Sequence, residues 1–174
     1  MLHCLANATE GGATTFNDGF CTAAALRSDD PAAFALLTKH RHPFTYLDPT
    51  QSVLLHAEVP VIQLDPSGEH VERVAFNNRS AGCLALPPDE IVAYYAAWAA
   101  FNRLANSDAG LVRVNMRPGD LAIFSNSRVM HGREEYTAGA GRHLQGCYVD
   151  HDALRSRLNW ALAEEGADLV ALAG

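Results

Sequence analysis

The stretch Asn115-Met116-Arg117-Pro118-Gly119-Asp120-Leu121-Ala122-Ile123-Phe124-Ser125-Asn126-Ser127-Arg128-Val129-Met130-His131-Gly132-Arg133 carries most of the fold information in this 174-residue chain. Pro118-Gly119-Asp120 reads as a turn, and it feeds the apolar strand Leu121–Phe124. His131 stands at the far end, as a jelly roll presents a metal ligand at its barrel mouth. Eleven residues further on comes Arg142, at the head of a predicted strand His143–Tyr148 that returns alongside. A guanidinium carried inward there can clamp a carboxylate through two parallel hydrogen bonds. A buried histidine beside a buried arginine is electrostatically poor, unless the imidazole is neutral and metal-bound and the arginine faces an anion. An ordinary strand histidine and a surface arginine fit the same spacing, so both readings stay open at this level.

Working outward, Leu111–Met116 is a further strand, and Pro87-Pro88-Asp89 opens a helix over Glu90–Ala105. Its Ile91, Tyr94, Tyr95, Trp98, Phe101 and Leu104 recur at three- and four-residue spacing, which predicts one core-facing stripe. Before it, Val53-Leu54-Leu55 and Val59–Leu64 read as two strands. Asp65-Pro66-Ser67-Gly68 turns the second back along His70–Phe76 as a hairpin. Phe20–Leu37 predicts two short helices, broken at Asp29-Asp30-Pro31 by an Asp cap and a first-position proline. Thr9–Thr14 is a glycine-containing turn leading into a strand at Thr14-Thr15-Phe16, and His151–Glu164 is the last helix. Short strands in the middle with helices outside favour a jelly roll, mainly β with helices, over a doubly wound sheet.

Composition narrows the function classes. Thirteen Lys+Arg against 20 Asp+Glu leave a net charge of −7, which argues against nucleic acid or an anionic membrane as partner. With 48% hydrophobic residues the chain can bury a core, and its length predicts one domain over 1–174. No apolar run approaches a membrane span, and Met1-Leu2-His3-Cys4 lacks a secretory signal, so a soluble, cytoplasmic protein is expected. Cys4, Cys21, Cys83 and Cys147 form no Cys-x-x-Cys pair; buried free thiols are expected rather than disulfides or zinc ligands. His40 and His42 sit in a polar stretch and are expected in solvent. His56-Ala57-Glu58 and His70-Val71-Glu72 each put an imidazole and a carboxylate on one strand face, but so short a pattern arises readily by chance.

The series Pro118-Gly119-Asp120, His131-Gly132-Arg133 and Arg142 resembles the iron- and 2-oxoglutarate-dependent dioxygenases of the taurine dioxygenase (TauD/TfdA) type. It is similar in particular to their gamma-butyrobetaine and trimethyllysine hydroxylase branch. Leu2-His3-Cys4, Gly11-Gly12-Ala13-Thr14, Asp18-Gly19-Phe20, Phe76-Asn77-Asn78 and Leu158 fit that branch in order and spacing, over nearly the whole chain. The resemblance implies a double-stranded β-helix, incomplete at its N-terminal side, with Fe(II) as metal, 2-oxoglutarate as co-substrate and room for ascorbate. It makes His131 the distal histidine of the iron triad, and Arg142 with Thr14 the holders of the far carboxylate of 2-oxoglutarate. Tyr148 would help enclose a trimethylammonium group, for which an aromatic face is the suitable partner, and Asn77 would contact the substrate carboxylate. The implied reaction is hydroxylation of a small trimethylammonium acid such as gamma-butyrobetaine, of carnitine-biosynthesis type; the implied assembly is a homodimer.

The chain also departs from the pattern. The family's His-x-Asp motif, which supplies the other two iron ligands, belongs upstream of the segment matching Leu2-His3-Cys4. The expectation is therefore a carboxy-terminal portion of such a dioxygenase domain, with one ligand where iron needs two histidines and a carboxylate. Two alternatives follow. One is a non-catalytic jelly-roll remnant or truncated subunit; the other is a cupin-like metal binder in which His56, Glu58 or His70 converges on His131.

Overall fold

Asp18 and Asp30 start the two helices on either side of the Asp-Pro break. In the computed structural model, which describes residues 1–7, 11–135 and 141–166, α1 spans Gly19–Asp29 and α2 spans Pro31–Lys39. The Asp18 carboxylate accepts the N–H groups of Phe20 and Cys21, and Asp30 accepts that of Ala33. These amides would otherwise lack partners in a first helical turn. Asp18 also accepts the Arg128 guanidinium at 2.6 and 3.1 Å, while that cation lies 5.1 Å over the Phe20 ring. The side-chain hydrogen bond from Arg128 is the main reason the Asp18 carboxyl titrates below its ordinary value.

Asp18→Ala should cost about 2 kcal/mol of unfolding free energy. About half comes from the cap and no more than about half from the ion pair, since Arg128 is half exposed. Denaturant unfolding reads it. The sign in pH follows from the lowered folded pKa: the stabilisation is full above the ordinary carboxylate value and is lost as pH falls through the folded one. Wild type and variant should therefore converge in acid.

The strands are β1 (Leu2–Ala6), β2 (Thr14–Asp18), β3 (Arg41–Asp48), β4 (Val53–Pro60), β5 (Ile62–Leu64), β6 (Val71–Val74), β7 (Leu111–Val114), β8 (Leu121–Ala122), β9 (Val129–Arg133) and β10 (His143–Gly146). Helix α3 covers Pro88–Ala105 and α4 covers His151–Glu164. Two antiparallel three-stranded sheets, ordered β10-β1-β8 and β7-β2-β9, form the facing layers of a partial jelly roll. Among the described residues β9 and β10 are edge strands, each paired on one side only. The turn Arg117–Asp120 docks on β1 through Gly119 N–H to Cys4 O and Cys4 N–H to Asp120 O; Gly119 takes the positive φ of 97° that a side chain would resist there.

The tightest packing lies beside these layers. Ala23 and Leu26 of α1, Phe34 and Leu37 of α2, Tyr94, Ala97 and Phe101 of α3, and Val61, Ile62 and Val74 of the β5–β6 hairpin form one buried cluster. The aromatic stripe of α3 thus serves as core, with Tyr95 left partly exposed. Gly19 enables the link between this cluster and the sheets: a Cβ there would sit 2.7 Å from Arg128 O and 3.2 Å from Val74.

Several sequence expectations need correction. His40 and His42 are not solvated, although Lys39 and Arg41 between and beside them are exposed: the His40 side chain is 10% exposed and His42, second in β3, is 1% exposed. The His42 imidazole packs as an aromatic, at 4.5 Å from the Trp98 ring and stacked on Tyr94, with Nδ1 bonded to the Tyr94 hydroxyl. Burial lowers its pKa, which keeps it neutral and suited to that stack. Val53–Leu64 is not cleanly two separated strands; β4 runs on to Pro60 because β3 pairs with it along its whole length. Of the four free thiols only Cys4 is buried, since Cys21, Cys83 and Cys147 fall on surface positions. Thr9 and Glu10 of the predicted turn lie outside the described residues. No described helix is long and apolar enough to cross a membrane.

Candidate functional site

Side chains opposite one another in an antiparallel pair share a face. His131 is opposite Phe16 and Arg133 is opposite Thr14, so His131, Phe16 and Thr14 occupy one face of the β7-β2-β9 sheet. Diagonal neighbours of this kind, as His131 and Thr14 are, stand about 7–8 Å apart. From the other layer, Phe124, in the same alternation as Ala122 of β8, meets both Phe16 at 5.4 Å and His131 at 5.1 Å between ring centres. That face therefore looks into the space between the two sheets. Gly132, beside the imidazole, leaves room on the opposite face, where a Cβ would come within 2.9 Å of Thr15 Oγ1.

Arg142 enters the same space from the other sheet. It precedes β10 in the alternation that also turns Leu144 inward, and its Nη2 donates to Thr14 Oγ1 at 3.0 Å. The Thr14 hydroxyl is buried with its residue, and Arg142 Nε is buried with no hydrogen-bond partner among the described residues. A buried guanidinium N–H left unpaired is costly and marks a place for an anion. The pair bridges 128 positions of sequence. The arrangement fits one carboxylate of a dicarboxylic acid: a charged fork and a neighbouring hydroxyl, with water largely excluded.

His131 lies in the middle of the edge strand β9 and is exposed, yet enough protein surrounds its ring for desolvation to lower its pKa, with the positive amino terminus adding in the same direction. A neutral imidazole is the metal-binding form. The donor set around it is incomplete for iron. Among the described residues no three His, Cys, Asp or Glu side chains are grouped so as to hold a metal ion. The convergence of His56, Glu58 or His70 on His131 is thereby overturned. His56 instead pairs locally with Glu58 at 3.6 Å and with the Thr45 hydroxyl at 3.1 Å on the exposed β3–β4 ribbon.

The other two candidates stand apart from this cluster. Tyr148 follows β10 and is 83% exposed, with no ring partner or hydrogen bond among the described residues. Asn77 lies in the loop after β6, exposed, with its Oδ1 accepting the Arg79 N–H at 2.9 Å. Two contributors escaped the sequence reading. Phe124 walls His131, and its alternation with Ala122 is the signal that could have found it. Trp98 bonds Asn78 through its indole N–H at 3.2 Å, a contact with no local sequence signature. A cavity of about 480 Å³ along α4, beside Asp152, Arg155 and Trp160, is a shallow surface groove that contains none of these residues.

Known proteins resemble the chain in sequence and in fold. Residues 1–148 match the taurine catabolism dioxygenase TauD, TfdA family. The gamma-butyrobetaine dioxygenase of Pseudomonas sp. (strain AK-1) is 36% identical over 159 residues, covering 91% of this chain and 41% of that protein. The chain thus spans about two-fifths of the length of the curated relatives it matches. In fold it resembles AAD-2, solved with Mn(II) and N-oxalylglycine (TM-score 0.60, 16% identity, 83% of this chain and 59% of that one). It also resembles the non-heme iron oxygenase OrfP, solved with Fe and alpha-ketoglutaric acid (TM-score 0.53, 19% identity, 82% and 41%).

Proposed function

The chain belongs to the TauD/TfdA family of iron- and 2-oxoglutarate-dependent dioxygenases, and from that premise we propose that it contributes the 2-oxoglutarate clamp and one iron ligand to hydroxylation of a small trimethylammonium acid such as gamma-butyrobetaine. The observation that carries this reading is the Arg142–Thr14 hydrogen bond, with Arg142 Nε buried and without a partner among the described residues, on the inter-sheet face that His131 shares. Arg142 and Thr14 bind and orient the far carboxylate. His131 offers a neutral nitrogen, and Phe16 and Phe124 keep its surroundings apolar. Metal and keto acid supply the oxidising chemistry, while the protein's share is position and exclusion of water. Asn77 presents a hydrogen-bond donor to the substrate carboxylate and Tyr148 an aromatic face to its cation; ascorbate is the auxiliary reductant in this reading.

A second reading, a subunit or remnant without catalysis of its own, is favoured by the single imidazole. The described residues do not make an iron site by themselves. One experiment serves both. The full chain is loaded anaerobically with Fe(II), desalted, and supplied with 2-oxoglutarate, gamma-butyrobetaine and oxygen, while 2-oxoglutarate binding is measured separately by calorimetry. Saturable 2-oxoglutarate binding with substoichiometric iron and no succinate is the expected result. Stoichiometric iron with succinate release would overturn the second reading, and absence of 2-oxoglutarate binding would overturn the first.

A further inference from the structure

The aromatic stripe of α3 is core by its spacing, yet Trp98 does something that core packing does not require. Its ring centre lies 4.5 Å from that of Phe76 and 4.5 Å from that of His42, both in tilted contact. Its indole N–H reaches away from these rings to Asn78 Oδ1. Phe76 and Asn78 are the residues on either side of Asn77, so one indole engages the side chains before and after it.

The rest of the loop is clipped to β3. Thr45 N–H donates to Ser80 O and Gly82 N–H to Pro43 O, both at 2.8 Å, while Ala81 N–H closes back on Asn77 O at 3.1 Å. At its other end the loop leaves β6 at Val74, whose N–H donates to Ser127 O, four residues before His131. Asn77 is therefore tethered to the segment that leads into the His131 strand. Its amide is also polarised by use. Oδ1 is taken by the Arg79 N–H, which can only donate, so the amide orientation is fixed and Nδ2 is the end left for a ligand. Two N–H donors on an exposed, immobilised amide suit an anion and not a cation.

We propose that Trp98 is a positioning residue that holds the Asn77 amide with its Nδ2 donors turned to the carboxylate of the substrate. This rests on the reading of Asn77 as a substrate contact, and it adds the device that orients it and the charge sign that it selects. Trp98 itself packs against these rings and touches no substrate.

The test uses the full chain in solution, by NMR. The Asn77 side-chain NH2 signals and the hydrogen exchange of the Ala81 amide are followed in wild type, Trp98→Phe, Asn78→Ala, Asn78→Asp and the Trp98→Phe/Asn78→Ala double variant. Phenylalanine keeps an aromatic ring in place while removing the donor and part of the indole's volume, whereas Asn78→Ala removes the same bond from the solvent side without touching the core. Either should speed Ala81 exchange roughly three- to tenfold, with the double variant adding little to the singles, as two halves of one bond should. Asn78→Asp restores the acceptor and the protection. The probes are gamma-butyrobetaine and the same cation ending in a neutral carboxamide. The acid should shift the wild-type Asn77 NH2 signals and the carboxamide should not, and Trp98→Phe should raise the half-saturating concentration roughly three- to tenfold while leaving 2-oxoglutarate binding unchanged.

Unchanged Ala81 exchange and Asn77 signals in both single variants would overturn the positioning role. A loop loosened by the variants, with Asn77 signals indifferent to the acid in wild type, would overturn the substrate assignment and leave the grip of Trp98 standing. An equal response to acid and carboxamide would overturn the charge selection.

Discussion

Replacing Arg142 by methionine should weaken 2-oxoglutarate binding to the full chain at least about thirtyfold, measured by calorimetry against wild type. The guanidinium is inserted between the sheets with one N–H on Thr14 and its Nε buried without a hydrogen-bond partner among the described residues. A carboxylate placed there gains charge-assisted bonds, each worth about 1.5–3 kcal/mol. Methionine fills comparable space, so the loss reports the missing fork and not a cavity. Arg142→Lys should rescue poorly, because a compact ammonium cannot serve two parallel acceptors. Thr14→Val should cost less, about three- to tenfold, since it removes one neutral partner. Equal affinity in Arg142→Met and wild type would remove the keto-acid assignment, whatever the chain does with metal.

The largest effect on stability should come from Phe101→Ala, about 3–5 kcal/mol by denaturant unfolding, with a fall of roughly 10 °C or more in Tm. Phe101 is fully buried, its ring 5.1 Å from that of Phe76, in the cluster shared by α1, α2 and the β5–β6 hairpin. No rearrangement of the surrounding Leu, Ile and Val side chains can close a hole of that size without moving a helix. Leu158→Ala on α4 is the internal control: its side chain is 55% exposed, so less than about 0.5 kcal/mol is expected. Similar losses at both positions would mean that the helical cluster is not the principal core.

Local chemistry made much of this molecule legible in advance. The Asp30-Pro31 break, the Asp65–Gly68 turn, the Pro-Gly-Asp turn and the bounds of the last helix all rest on residues that act within a few positions of themselves. His131 was legible as a strand imidazole, but it lies in the middle of its own strand β9 and not at the end of the one the Pro-Gly-Asp turn feeds. Its partnership with Arg142 and Thr14 was not a matter of spacing, because that contact joins positions 128 apart and entered through likeness to a family. His42 was misread because polarity scales treat imidazole as hydrophilic, whereas a neutral ring between Tyr94, Trp98 and Phe44 packs like phenylalanine. The thiols were misread for the converse reason: cysteine is buried on average, and nothing in Cys21, Cys83 or Cys147 says which face of its segment meets solvent. Position of the core was the deeper omission. Strand-rich texture drew attention to the sheets, while Phe34, Leu37, Tyr94 and Phe101 gathered the burial among the helices.

One asymmetry in the architecture has a mechanical consequence. The segment feeding His131 is moored at three points to the well-packed side of the molecule: Ser127 O to Val74, Arg128 O to Gly19, and the Arg128 guanidinium to Asp18. Arg142 stands on the other sheet, just before β10, which pairs with β1 alone among the described strands. The imidazole is thus tied through its own segment to the helical core, whereas the guanidinium stands on the other sheet. Amide exchange is therefore expected to run ahead in β10 relative to β9.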